Sequence, residues 1–334
     1  MESVQVLDEA GRGRETAPQL SVVIPFLNEE SALPRLRERF GTLSDLPESW
    51  EVVFVSDGST DRSVAIVEDW AAEDGRIKLL VLTRNFGHQP AISAGLSYAR
   101  GEYVGVMDAD LQDPPEVLLE MYREAREGAW DVIYSTRARR SGHPLKKAAY
   151  KIFYRVYSFL AQTPINTDSG DFSVLSRRAV HALLSLPEKV RFVRGLRSWV
   201  GLRQKSRPTV RPERVAGEPQ YSWLNLVALA LNGLTSFSVR PLRLATISGL
   251  LICVVAMLLA FSYVFIALFT NLHDRVPGFA TIAILLLFLN GFQFLLIGIL
   301  GEYIGQIFQE VKQRPTYLVE RVVNLKESER EARV

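Results

Sequence analysis

Residues 103–116 read YVGVMDADLQDPPE. The opening run, Tyr103 to Met107, is short, apolar and β-prone, which marks a buried strand. Polar chemistry begins at once behind it. Asp108 and Asp110 stand at i and i+2, where two carboxylates repel each other unless a cation joins them. Gln112 adds a carboxamide oxygen, so the three side chains form a hard-oxygen set suited to Mg²⁺ or Mn²⁺. Such ions are held by one or two carboxylates together with substrate phosphates. Asp113-Pro-Pro-Glu116 then reads as a capping box with proline early in the helix, and Pro115–Glu127 continues with helical spacing.

Working outward, the same alternation recurs. Leu20–Ile24, Trp50–Ser56, Ile77–Thr83 and Trp130–Ser135 are further strand candidates, separated by helical patterns at Ser63–Ala72 and Gln89–Ala99. Strand-helix alternation predicts an α/β domain with a mainly parallel, Rossmann-like sheet covered on both faces. Ligands of such sheets bind at the carboxyl ends of the strands. There the sequence places Pro25, Asn28 and Glu29 after the first strand and Asp57-Gly-Ser-Thr-Asp61 after the second. Arg84-Asn-Phe-Gly-His-Gln89 follows the third strand and the acidic run follows the fourth. No G-x-G-x-x-G follows the first strand and no Walker lysine loop occurs, so those templates for hydride transfer and ATP hydrolysis are not supported. A cation-held nucleotide diphosphate fits better.

Composition divides the chain. Leu244 to Gly301 is 58 residues with two formal charges, Asp274 and Arg275, while the chain as a whole is 23% charged. Leu244–Leu272 and Val276–Gly301 are each long enough to span a bilayer. The linker 271–275 makes them an antiparallel hairpin whose outer ends face one compartment. Arg240, Arg243, Lys312, Arg314 and Arg321 flank the hairpin and place those ends in the cytosol. Just upstream, 219–239 is uncharged, with Ser222, Asn225, Asn232 and Ser236 near one side and Trp223, Val227, Leu231 and Leu234 gathered on another. That pattern predicts an amphipathic helix lying in the headgroup region. Net charge of +2 excludes a strongly basic nucleic-acid binder, and the single Cys253 excludes an intramolecular disulfide. The polar start, residues 1–18, has no apolar signal region and reads as a disordered leader. The expected order is therefore leader (1–18), catalytic domain (19–215), interfacial helix (216–241), two transmembrane helices (242–303) and cytosolic tail (304–334).

The motifs Asp57-Gly-Ser-x-Asp61, Asp108-Ala-Asp-Leu-Gln-Asp-Pro-Pro115 and Gly170-Asp-Phe172 resemble those of family 2 glycosyltransferases with a GT-A fold. The two-span tail and Gly301-Glu-Tyr-Ile-Gly305 bring the chain closer still to the polyprenyl-phosphate glycosyltransferases, the group of dolichyl-phosphate mannose synthase and the bactoprenol glucosyltransferases. The resemblance runs from about Leu20 to Val319. It implies that Pro25, Asn28, Glu29 and Asp57 line the nucleotide site, with Asp57 facing the base. It implies further that Asp108, Asp110 and Gln112 surround the metal and diphosphate, and that Asp171 is the proposed catalytic base beside Asp110. The donor implied is a nucleotide-diphosphate sugar, UDP-glucose ahead of GDP-mannose, and the acceptor a polyprenyl phosphate at the cytosolic membrane face. A homo-oligomer, taken as a tetramer, is implied by likeness alone.

A phosphate acceptor needs cations. Arg137 to Arg155 holds seven basic residues and no acidic one, and Lys189 to Arg214 holds nine against Glu213. Arg137 and Lys151, then Arg191 and Arg194, are the candidate phosphate contacts; the others face anionic lipid. A phosphate monoester is mostly dianionic at neutral pH and needs no deprotonation. Asp171 is therefore read as orienting the sugar or an acceptor-binding arginine. Two rival readings remain at this level: transfer to another lipid hydroxyl, which requires a true base, and a catalytically silent nucleotide-sugar-binding scaffold in the membrane. The Q-x-x-R-W signature of processive synthases is absent, so one sugar per reaction is expected.

Overall fold

The computed structural model describes residues 17–137, 169–189, 191–209, 240–269 and 278–325. Lys151, the stretch 219–239, the linker 271–275 and most of the leader lie outside the described residues, and Arg137 is described in its backbone only.

Eight strands form one sheet: β1 (Leu20–Phe26), β2 (Trp50–Ser56), β3 (Ile77–Leu82), β4 (Tyr103–Val106), β5 (Val132–Arg137), β6 (Ser169–Ser176), β7 (Gln204–Thr209) and β8 (Val319–Val323). Their order is β7-β5-β6-β4-β1-β2-β3-β8. The centre, β3-β2-β1-β4, is parallel throughout, while β6 runs antiparallel to both β4 and β5, and β8 antiparallel to β3. The central strands are Val/Ile/Leu runs buried on both faces, as a covered parallel sheet requires. Alternate residues serve opposite sides: Val22, Ile24, Val52 and Phe54 pack with Trp70 and Leu118, whereas Val23, Val53 and Val55 pack with Ile92 and Leu96. The covering helices are α1 (Leu33–Gly41), α2 (Ser63–Glu73), α3 (His88–Tyr98), α4 (Pro115–Glu127), α5 (Arg177–Leu184) and α6 (Val193–Val200).

Two long helices follow, α7 (Arg240–Phe269) and α8 (Phe279–Val311). At 33 residues α8 is about 50 Å long, well beyond the thickness of a bilayer core. Among the described residues one stretch, Leu289–Val311, is long and apolar enough to cross a membrane by length and composition. The chain then returns to the sheet, where the sequence reading expects only a tail. Thr83 N donates to Leu318 O at 3.0 Å, the Ser97 and Tyr317 hydroxyls share a bond of 2.8 Å, and Asn324 Nδ2 reaches the carbonyls of Ala71 and Ile77. Arg321 pairs with Glu68 on α2.

The expected capping box at α4 does not form. Proline at 114 and 115 stiffens the entry, and no side chain caps the helix. Asp113, fully buried, instead accepts from Asp108 N at 3.4 Å, and Glu116 accepts from Arg39 Nε at 2.9 Å, tying α4 to α1.

Candidate active site

Sheet register assembles the site. Val106 of β4 pairs with Ser173 of antiparallel β6, so two residues further along each strand Asp108 lies opposite Asp171. Parallel pairing of Val23 with Val106 brings Pro25 level with Asp108 on the other side. The β4–α4 loop then turns through Leu111 at φ 62°, and Gln112 N donates to Asp110 Oδ1 at 3.1 Å. Asp108, Asp110 and Gln112 thus share one tight loop at the carboxyl edge. Two carboxylates and a carboxamide do not complete an octahedral shell, and they leave positions for diphosphate oxygens and water. The donor set therefore fits a divalent cation, although among the described residues no three His, Cys, Asp or Glu side chains already converge on one point.

Asp57 is 4% exposed, and both its oxygens are engaged: Oδ1 accepts from Phe86 N at 2.7 Å and Oδ2 from Gly87 N at 2.9 Å. Burial pushes its carboxyl above the usual range, against the pull of those two N–H groups. The β3–α3 loop sits so close that a Cβ on Gly58, at φ 74°, would lie 2.5 Å from the backbone of Arg84 and Asn85. In this structure Asp57 holds that loop, a task the sequence reading does not give it. Asn28, at φ 55°, laces the β1–α1 and β2–α2 loops together: its Oδ1 accepts from Thr60 N at 2.8 Å, and Glu29 N beside it donates to Ser63 Oγ at 2.8 Å.

Asp171 is 5% exposed and lies in a cationic cradle. Arg194 on α6 grips it with two parallel bonds, Nε to Oδ1 at 2.8 Å and Nη2 to Oδ2 at 2.7 Å. Gln89 Nε2 donates to Oδ2 at 3.1 Å. His88 Nε2 stands 3.5 Å from Asp171 and 3.4 Å from Asp108, bridging the two acidic groups. Burial alone would raise the Asp171 carboxyl, but Arg194 and His88 overcome it and hold it well below the ordinary carboxylate range. His88 shifts the opposite way: burial lowers it, and the two aspartates more than compensate, so the imidazole is raised.

Beneath this layer Arg197, one helical turn after Arg194, is 2% exposed. It stacks on Tyr134 at 4.5 Å and approaches Gly170 O at 3.4 Å, and burial lowers its guanidinium to about 10. Arg191 is occupied elsewhere. Its two terminal nitrogens donate to Leu183 O and Leu186 O at 2.9 and 2.8 Å, closing the end of α5. That geometry satisfies helix-end carbonyls and differs from the phosphate contact expected of Arg191. Arg137 closes β5 at the same sheet edge, paired in register with Thr209. The structure therefore brings together Asp108, Asp171 and Arg194 from the expected set. It adds His88, Gln89 and Arg197. The first two stand in the run Arg84–Gln89 that the sequence already places behind the third strand.

A doubly covered sheet thus carries Asp108 and Asp171 opposite each other at the carboxyl edge of β4, with a cation-suited acidic loop beside them. The family model "Glycosyl transferase family 2" matches residues 21–184. The uncharacterized glycosyltransferase YkcC of Bacillus subtilis (strain 168) is 40% identical over 305 residues, covering 91% of this chain and 94% of its own. The bactoprenol glucosyl transferase of Shigella phage SfII is 38% identical over 306 residues, 91% of this chain and 98% of its own. A prophage bactoprenol glucosyl transferase homolog of Escherichia coli (strain K12) is 37% identical over 91% of this chain and 99% of its own. Among solved structures, the mannosyltransferase PcManGT from Pyrobaculum calidifontis, in complex with GDP-Man and Mn²⁺, aligns over 87% of this chain and 88% of its own, with 18% identity and a TM-score of 0.43. The chain belongs to glycosyltransferase family 2 and is a glycosyltransferase.

Proposed function

We propose that the protein transfers one sugar from a nucleotide diphosphate sugar, UDP-glucose first and GDP-mannose second, to a polyprenyl phosphate at the cytosolic membrane face. The observation that carries this reading is the Arg194–Asp171 pair standing opposite Asp108 on one sheet edge. An arginine fork held ready on a buried carboxylate suits an incoming phosphate, and the acidic loop suits the donor diphosphate. Full-length similarity to proteins named for bactoprenol supports the lipid class.

In the reaction a phosphate oxygen of the lipid attacks the anomeric carbon while the bond from that carbon to the nucleotide β-phosphate oxygen breaks, which inverts the configuration. The leaving nucleotide diphosphate takes the bonding pair. A dianionic acceptor has no proton to lose, so Asp171 serves by holding Arg194 in line rather than by accepting a proton. A Mg²⁺ or Mn²⁺ ion held by Asp108, Asp110 and Gln112 supplies charge neutralisation for the diphosphate when bound. Membrane attachment is part of this reading. Strands β7 and β8 belong to one sheet, so the intervening chain leaves and returns on the same side, and any crossings it makes are even in number. In this reading α8 spans the membrane, α7 is its return partner, and the basic residues that flank the two helices favour a cytosolic catalytic domain.

The test uses purified protein in detergent, a short-chain polyprenyl phosphate, Mg²⁺ or Mn²⁺ and labelled UDP- and GDP-sugars, with label counted in the organic phase. EDTA and Asp110→Ala are expected to abolish transfer. Transfer to a lipid hydroxyl in place of the phosphate would overturn the acceptor class, and donor binding without any transfer would favour the scaffold reading.

A further inference from the structure

The first turn of α3 contains a neutral side chain that reaches both halves of the site. Gln89 Nε2 donates to Asp171 Oδ2 at 3.1 Å, and its Oε1 accepts from Val193 N at 2.8 Å. Val193 opens α6, where backbone N–H groups have no partner within the helix. The next residue, Arg194, returns to the same carboxylate with its two bonds of 2.7–2.8 Å. Gln89, Asp171, Arg194 and the 193–194 backbone thus close a ring. Below the ring, α3 is fixed on two sides. Asp57 anchors the preceding loop through Phe86 N and Gly87 N, and Gly95 lies so close to β1 that an added Cβ would meet Val23 Cγ1 at 2.2 Å.

We propose that Gln89 is a positioning residue: a strut that sets α6, and with it Arg194, at a fixed distance from the donor edge of the sheet. A carboxamide suits this place because one end donates to a carboxylate while the other accepts from a backbone N–H. A carboxylate there would lose the donor and face Asp171 with like charge. A thioether of the same reach would make neither bond. Because Arg194 faces the acceptor in the reading above, on which this inference rests, loosening the strut misplaces the acceptor phosphate and leaves the donor subsite intact. A displacement of about 1 Å is enough to cost one to two orders of magnitude in rate.

The experiment compares wild-type protein, Gln89→Met and Gln204→Ala in full-length form. Gln204 Nε2 donates to Arg197 O at 2.6 Å, so its loss weakens the far end of the same helix without touching Asp171. Gln89→Met is expected to lower kcat/KM for the lipid phosphate about tenfold, with the donor KM within twofold of wild type, while Gln204→Ala leaves both parameters unchanged. Parallel loss of donor and acceptor parameters in Gln89→Met, or equal loss in Gln204→Ala, assigns the bonds to helix stability and overturns the strut. If wild type transfers and Gln89→Met matches it, this inference alone fails. If wild type transfers nothing to the lipid phosphate, the acceptor reading fails and takes this inference with it.

Discussion

Asp171 shows how much a side chain's partners decide its chemistry. A buried, lone carboxylate would be raised and could take a proton; gripped by Arg194 and flanked by His88, it is depressed far below the ordinary value near 4. The sign follows directly. The pair's contribution to stability is fully present above that ordinary value and fades only as pH falls further toward the depressed one, so Asp171 itself stays ionised between pH 6 and 9. Asp171→Asn is therefore expected to lower kcat about a hundredfold, with no recovery toward high pH, because it breaks the two-bond grip on Arg194. A pH–rate profile of the variant checks this, and recovery at high pH would reinstate a base. The motif Gly170-Asp-Phe172 marks the residue in the sequence. Its partners were harder to read, because Arg194 and Arg197 sit among nine similar basic residues and only the helix that carries them separates site from surface.

Among the elements, α3 bears the closest contact. Glycine inside a helix normally costs about 1 kcal/mol relative to alanine, so Gly95→Ala would stabilise an isolated helix. Here the added methyl meets the buried, branched Val23 at 2.2 Å and Val55 at 3.1 Å, and overpacking of 1–3 kcal/mol reverses the sign. Thermal unfolding of Gly95→Ala should show a midpoint a few degrees lower. Strands buried on both faces and the helices that cover them were legible in the sequence: β1 to β5 and α2 to α4 lie within two residues of their expected bounds, because continuous apolar runs and helical spacing report burial directly. The last three strands were not. Strand β6 contains a motif read for chemistry; β7, Gln204–Thr209, is a polar edge with a proline; β8 is five residues whose apolar positions have meaning only against β3. The missing capping box at α4 has a more local origin, since Asp113 accepts from Asp108 N within the same loop.

At the scale of the molecule, the two long helices are inserted into the sheet rather than appended to it. Glu310, in the last turn of α8, accepts from Lys189 N at 3.0 and 3.1 Å, and the chain then turns at Gln313 and enters β8. The apolar helix is thereby fastened both to the loop before α6 and to the far edge of the sheet. Removing residues 315–334 should expose the β3 edge, lower the thermal midpoint by about 5 °C or more and increase aggregation. Light scattering alongside unfolding checks this; a truncated protein as stable and as soluble as the full chain would show that β8 is dispensable.

The position of β8 also bears on how the protein is made. A ribosome releases the four-strand centre before the two long helices, and the strand that covers its outer edge is translated only after them. Throughout synthesis of α7 and α8 the nascent domain waits with β3 open, and it is completed only when the chain comes back after Val311. Completion of the sheet is thus tied to where α7 and α8 end up, and a molecule whose helices go astray is expected to leave the β3 edge uncovered.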